Sequence, residues 1–286
     1  MKIYGIYIGY DCVTVSVRNT ETRAVVPLII RPLNKKGSRY DQVATAFGEI
    51  RRQRKLLRVK NPSVASLSFE SPENLNFMTS AAKESPDMTE MMSWEMFMRT
   101  GEAVRDYHLS SCCIKNDLYF VAAAKIKDME FYTKQVARLG LKVVAVRPSI
   151  TAVLNIFEMN YKVADHSLIA FLSRERMTTA YVEKGKLTDV REYARHHNQE
   201  ITAQDIMRAR AELSETYTIA DGAVIYITGD LLADKKRGKE ICNQMHDCLV
   251  LDPFKRVAPD TSSDKDLLSA HSFAFGASVS LSMEKL

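Results

Sequence analysis

The 286-residue chain has no apolar run near the roughly 18–20 residues that a membrane-crossing helix needs. Its apolar start is broken by Tyr4, Gly5 and Tyr7 and is followed by no small-residue cleavage site, so no secretory leader is expected. Cysteine is scarce: Cys12, Cys112, Cys113, Cys242 and Cys248 form an odd set without framework spacing. That excludes a disulfide scaffold and suggests reduced thiols in a cytoplasm. Gly-x-Ser-x-Gly, His-Glu-x-x-His, Cys-x-x-Cys and Walker A patterns are all missing. Cys242, His246 and Cys248 lack a fourth ligand, so a helix end followed by a strand is expected there and no metal. His196 and His197 are adjacent, and neighbours in sequence point apart. The net charge of +5 is too small to argue nucleic acid by itself, although it fits work beside an anionic membrane.

What is present begins with a hairpin. Residues 2–19 read KIYGIYIGYDCVTVSVRN, with Tyr4, Ile6 and Ile8 on one face of a first strand and Val13, Val15 and Val17 on one face of a second. Backbone N–H groups in a turn such as Gly9-Tyr10-Asp11 can hold a phosphate. A third strand follows over 24–33, where Pro27 and Pro32 suit an edge or an end. A helix is expected over 41–58, with Asp41 as N-cap and Val43, Phe47, Ile50 and Leu57 inward. Its basic end (Arg51, Arg52, Arg54, Lys55, Arg58, Lys60) reads as ordinary helix-end charge or as a phosphate or lipid-headgroup contact.

A strand over 63–69 precedes a polar stretch, 70–86, that marks a boundary. The helix over 88–102 is crowded with methionine and with Trp94, which suits either a helix buried on two sides or a partner-binding face. Further elements are a buried strand over 118–125, a helix over 127–139 ending at Gly140, a strand over 142–147 and a helix capped by Ser149. The second half starts again with strands over 167–172 and 178–183 and a turn at Lys184-Gly185. A helix over 201–216, a strand over 223–228 and a helical stretch over 231–246 come next, then a short strand over 249–251 and a closing helix over 269–280. Hairpin, helix and strand thus occur twice, the pattern of two lobes of one α/β architecture.

The segment from Ser93-Trp94-Glu95 through Leu118 to Asn155, the Asp252-Pro253-Phe254 triplet and the closing stretch 271–281 resemble the PilM family. Those proteins are the cytoplasmic assembly proteins of type IV pili, within the actin-like (RNase H-like) superfamily, and GspL of type II secretion is a relative. The resemblance implies a two-lobed fold. Lobe one would span 1–70, an inserted PilM/FtsA-type subdomain 71–147 and a connecting helix 148–166. A reduced lobe two would span 167–268, and a C-terminal helix, 269–286, would return to lobe one.

The resemblance also exposes departures. The first phosphate hairpin of the family reads Asp-x-Gly, and here Tyr7-Ile8-Gly9 stands there. The second reads Asp-Ile-Gly, and here Phe171-Leu172-Ser173 stands there. The adenosine motif Gly-Gly is replaced by Gly229-Asp230. Magnesium needs hard oxygen ligands that Tyr7 and Phe171 do not supply, and Asp230 would repel a triphosphate. A vestigial nucleotide site of Gly9, Asp11, Thr178, Thr179 and Gly229 is implied, with no catalytic residue, no metal and no cofactor expected. The alternative is an active actin-like ATPase with ATP and magnesium. The expected partner is the N-terminal cytoplasmic tail of a PilN-like bitopic inner-membrane protein, held in a groove around Phe77, Met78, Met91, Trp94 and Met98. Other platform proteins, the assembly ATPase among them, are further expected partners. The chain would then be cytoplasmic and peripheral to the inner membrane.

Overall fold

The computed structural model describes residues 2–19, 25–33, 36–53, 57, 59, 63–80, 88–115, 117–161, 165–174, 176–194, 200–217, 219, 223–232, 235–256 and 272–283. The alternating N-terminal runs form β1 (Lys2–Ile8) and β2 (Cys12–Asn19), antiparallel, with Tyr7 opposite Thr14. β3 (Val25–Pro32) is the sheet edge, where a missing proline N–H breaks no ladder bond. α1 (Arg39–Arg52) starts earlier than the spacing predicts: Ser38 is the N-cap and Asp41 is the far half of a capping box. The Asp41 N–H donates to Ser38 Oγ at 3.2 Å, and the Ser38 N–H donates to the Asp41 carboxylate at 3.3 Å. Val43, Phe47, Ile50 and Leu57 enter the core as expected. Arg51 and Arg52 are exposed in the last turn, while Arg54, Lys55, Arg58 and Lys60 lie outside the described residues.

β4 (Ser63–Phe69) runs parallel to β1, and the chain then leaves the sheet. The polar stretch read only as a boundary contains β5 (Leu75–Ser80). α2 (Met88–Thr100), β6 (Tyr107–Lys115) and β7 (Leu118–Lys125) complete an inserted three-stranded sheet ordered β5-β7-β6. Met92 and Met96 anchor α2 on that sheet, against Phe77 and Val121. α3 (Ile126–Ala137) leads through Gly140, at φ +82°, to β8 (Lys142–Arg147), which pairs with β4. The insertion placed over 71–147 therefore keeps its own sheet only to Lys125, because β8 belongs to the first sheet. In α4 (Ser149–Asn160) the N-cap is Pro148; Ser149 is the first helical residue, its Oγ 3.1 Å from Ser68 Oγ.

β9 (His166–Leu172), β10 (Arg176–Glu183) and β11 (Lys186–Ala194) form a second meander, with Lys184 (φ +49°) and Gly185 (φ +76°) at the tight turn between the last two. β11 escaped the sequence reading. α5 (Ala203–Thr216) and β12 (Val224–Thr228) follow. The helix expected over 231–246 is α6 (Lys235–Asn243), preceded by a single 3-10 turn at Asp230–Leu232. β13 (Cys248–Val250) closes the second sheet, and α7 (Ser272–Met283) ends the described chain. The orders β3-β2-β1-β4-β8 and β11-β10-β9-β12-β13 match position for position, so the duplication read from the sequence is real.

α7 packs on the first sheet. Its small residues let it approach β1 and β2 closely: Thr14 Oγ1 donates to the Ala274 carbonyl at 2.7 Å, and Ser16 and Ser278 share a hydroxyl hydrogen bond. A Cβ on Gly5 would fall 1.7 Å from the Ser278 carbonyl oxygen.

Candidate functional site

The β1–β2 and β9–β10 turns face one another, with Arg174 Nη1 3.8 Å from Asp11 Oδ1 on the surface. Asp230 reaches between them. Gly229 makes this reach feasible: it takes φ +125°, and a Cβ there would come within 2.3 Å of the Leu172 carbonyl oxygen. The bend lays Asp230 Oδ2 3.4 Å from the Tyr10 N–H and 3.4 Å from the Tyr7 hydroxyl, both long contacts. The Gly9 N–H donates to the Cys12 carbonyl at 2.9 Å, and Arg39 donates to the carbonyls of Gly9 and Tyr10. The turn is thus held by its own protein, with the Asp230 carboxylate against the Tyr10 amide.

Beneath it the floor is aromatic. Tyr7 and Phe171 are buried, and both pack on Phe273, at ring-centroid distances of 5.4 and 5.2 Å. Among the described residues no group of three His, Cys, Asp or Glu side chains could hold a metal ion. Cys242 and Cys248 sit with their sulfurs 3.0 Å apart and His246 is exposed.

The other predicted site residues separate. Thr178 lines the cleft between the lobes, its Oγ1 3.5 Å from Glu192 Oε1. Thr179 is its neighbour on the same strand and therefore faces the other side; its hydroxyl is buried without a hydrogen-bond partner. Thr179 is removed from the site on that ground.

The cleft itself encloses about 390 Å³ among Phe69, Glu70, Phe120, Ser149, Phe171 and Arg176. Glu70 is the residue that sequence reasoning missed. It follows β4 directly, is 6% exposed, and its carboxyl is pushed up to about 7 by burial, against a lowering hydrogen bond from Ser149. The available signal is a carboxylate directly after a strand, SVASLSF, whose small and apolar residues suit burial on both faces. Burial likewise lifts Asp230 to about 6, opposed by the Tyr10 N–H.

The predicted groove residues do not form one surface. Phe77 is 3% exposed in the insert core, with the Arg99 guanidinium 4.7 Å from its ring centroid, and it lines the same groove as Met78. Met78 is half-buried beside a separate groove between β5 and β11, and Met91 is half-buried on α2. Trp94 and Met98 are 64% and 63% exposed, and Phe97 joins them at 53%. Of the two readings of this helix, the one that buries both sides fails.

No protein-family model matches the sequence, and no curated protein matches it. Solved structures do match the fold. A structure described as a PilM–PilN type IV pilus biogenesis complex is 14% identical, with 98% of this chain and 97% of that chain covered and a TM-score of 0.75. A Bacteroides thetaiotaomicron protein with an actin-like ATPase fold is 11% identical, with 94% of each chain covered and a TM-score of 0.60. The cytoplasmic domain of EpsL, an inner membrane component of the Vibrio cholerae type II secretion system, is 10% identical, with 80% and 82% covered and a TM-score of 0.52. The fold is therefore actin-like, and the likeness to PilM seen in the sequence is present in three dimensions.

Proposed function

We propose that the chain is a non-catalytic docking platform of a type IV pilus or related secretion assembly, holding the cytoplasmic tail of a PilN-like membrane protein. The observation that carries the loss of nucleotide chemistry is Asp230 on the Tyr10 amide, above Tyr7 and Phe171. An incoming phosphate would meet the Asp230 carboxylate at contact distance, while the nearby Arg39 guanidinium is engaged by the turn's own carbonyls. The neighbour solved as a PilM–PilN complex supports the partner class. Among the described residues no helix is long and apolar enough to cross a membrane, which agrees with attachment through such a partner. Calorimetry with millimolar Mg-ATP should show no binding; micromolar affinity with hydrolysis would overturn the reading.

The exposed Trp94 and Met98 are assigned to the tail-binding surface, in place of Phe77. Trp94→Ala with Met98→Ala should weaken capture of the tail peptide at least tenfold, the scale of a hot-spot aromatic, in a protein with an unchanged circular-dichroism melt. Undiminished capture would move the surface elsewhere. Failure of the unaltered protein to capture any tail encoded beside it would sink the platform reading.

The second reading, an active actin-like nucleotide enzyme, draws on Glu70. A buried carboxyl near 7 in an interlobe cleft suits a general base. The same nucleotide titration separates the two.

A further inference from the structure

We propose that Arg176 is a latch that closes lobe two onto the root of the inserted subdomain, so that the width of the cleft is set by the protein's own side chains. Arg176 opens β10 and is 9% exposed. Its Nη2 donates to the carbonyls of Ser71 (3.1 Å) and Pro72. Its Nη1 donates to the Asn74 carbonyl and, at 3.0 Å, to Glu192 Oε2. The three carbonyls belong to one turn between β4 and β5, closed by the Asn74 N–H on the Ser71 carbonyl at 3.1 Å. Glu192, on β11, also accepts from Asn76 Nδ2 at 2.7 Å, so lobe two grips the first strand of the insert as well.

The opposite side of the same turn is fixed to lobe one. Ser71 Oγ donates to Asp128 Oδ2 at 2.7 Å, Asp128 also takes the Tyr40 hydroxyl, and Asn74 Nδ2 donates to the Phe69 carbonyl at 2.9 Å. One short turn is therefore held from both lobes. A planar guanidinium can serve three carbonyls and a carboxylate together; an ammonium cannot match that spread. Removing it takes the guanidinium from three carbonyls and leaves Glu192 with Asn76 but without its cation, which favours water entry and separation of the lobes. At the β1–β2 and β9–β10 turns the contacts are weaker: Arg174 to Asp11 is exposed at 3.8 Å, and Asp230 meets Tyr7 and Tyr10 at 3.4 Å. The firm ties elsewhere join the end of α4 to lobe two, where Asn160 Nδ2 donates to the Pro253 carbonyl at 2.9 Å and the Asp252 N–H to the Tyr161 hydroxyl at 2.7 Å; they would hold the lobes together while the latch opens. Arg176 and Glu192 both line the cleft, so release of the latch widens it.

This device does not depend on what docks, and its test uses the full chain alone. In Arg176→Met, hydrogen exchange at the amides of residues 74–77 should accelerate on the order of tenfold or more, with β1 and β9 protected as before and a larger radius of gyration in X-ray scattering. Arg176→Lys should not restore protection, since charge without the fork is insufficient. Asn76→Ala, which cuts only the subsidiary tie, should give a smaller acceleration in a folded protein. A folded Arg176→Met with wild-type exchange and radius of gyration overturns the latch. If that variant does not fold, unchanged exchange in Asn76→Ala overturns it.

Discussion

Gly5→Ala is expected to destabilise the protein by about 3 kcal/mol, the upper end of what overfilling a well-packed contact usually costs, or to release α7 from the sheet. The added methyl would lie 1.7 Å from the Ser278 carbonyl oxygen and 2.7 Å from the Ser282 nitrogen. Both obstacles are backbone, so no rotamer change relieves them and the helix must move. Moving it breaks the Thr14–Ala274 and Ser16–Ser278 hydrogen bonds, which are buried. A glycine inside a strand ordinarily weakens it, so alanine at such a site would be neutral or helpful if the contact were loose. The sign is therefore diagnostic. Gly48 provides the control: it lies inside α1 with nothing within 4 Å of a Cβ, and Gly48→Ala should stabilise by about 0.5–1 kcal/mol. Urea unfolding midpoints of the two variants should move in opposite directions. A Gly5→Ala midpoint equal to wild type would show that α7 does not sit on β1 as described.

The paired lobes were legible because their central strands alternate or run apolar without interruption, as in β1, β2, β9 and β12. The strands that were missed are polar and near edges. β5 reads LNFMTS and β11 reads KLTDVREYA; β5 takes its place from β7, some way along the chain, and β11 from the tight turn to β10. With 70–86 read as a boundary, strand parity has nothing to act on, and the burial of Phe77 and partial exposure of Met78 on β5 are not visible in the sequence. Strand parity alone parts Thr178 from Thr179, which are consecutive on β10. The Gly229-Asp230 departure was visible, but its consequence depends on a contact across 220 positions, Tyr10 to Asp230. Local pattern carries no information about that pairing. The identity of the residues could say that a carboxylate opposes a phosphate, whereas only the fold shows that carboxylate 3.4 Å from the β1–β2 turn amide.

Stability should fall as pH rises from about 5 to 8, the reverse of the usual acid dependence. Glu70 has its carboxyl raised from 4.5 to about 7 in the folded chain. Between those values the native state holds a proton that the unfolded state has released, so the slope of unfolding free energy with pH is negative. The contribution is fully present below about 4.5, is lost through about 7, and amounts to a few kcal/mol at about 1.4 kcal/mol per unit. Asp230, raised to about 6, adds a smaller part of the same sign because it keeps some solvent contact. Glu70→Gln keeps the hydrogen-bonding shape beside Ser149 and removes the ionisation. Its denaturation midpoint should vary less between pH 5 and 8 and exceed that of the wild type at pH 8. If both proteins show the same slope, Glu70 is not the buried acid that governs the cleft. A steeper wild-type loss that Mg-ATP reverses at pH 8 would instead mean that the ionised carboxylate awaits a ligand, and would favour the nucleotide reading over the docking platform.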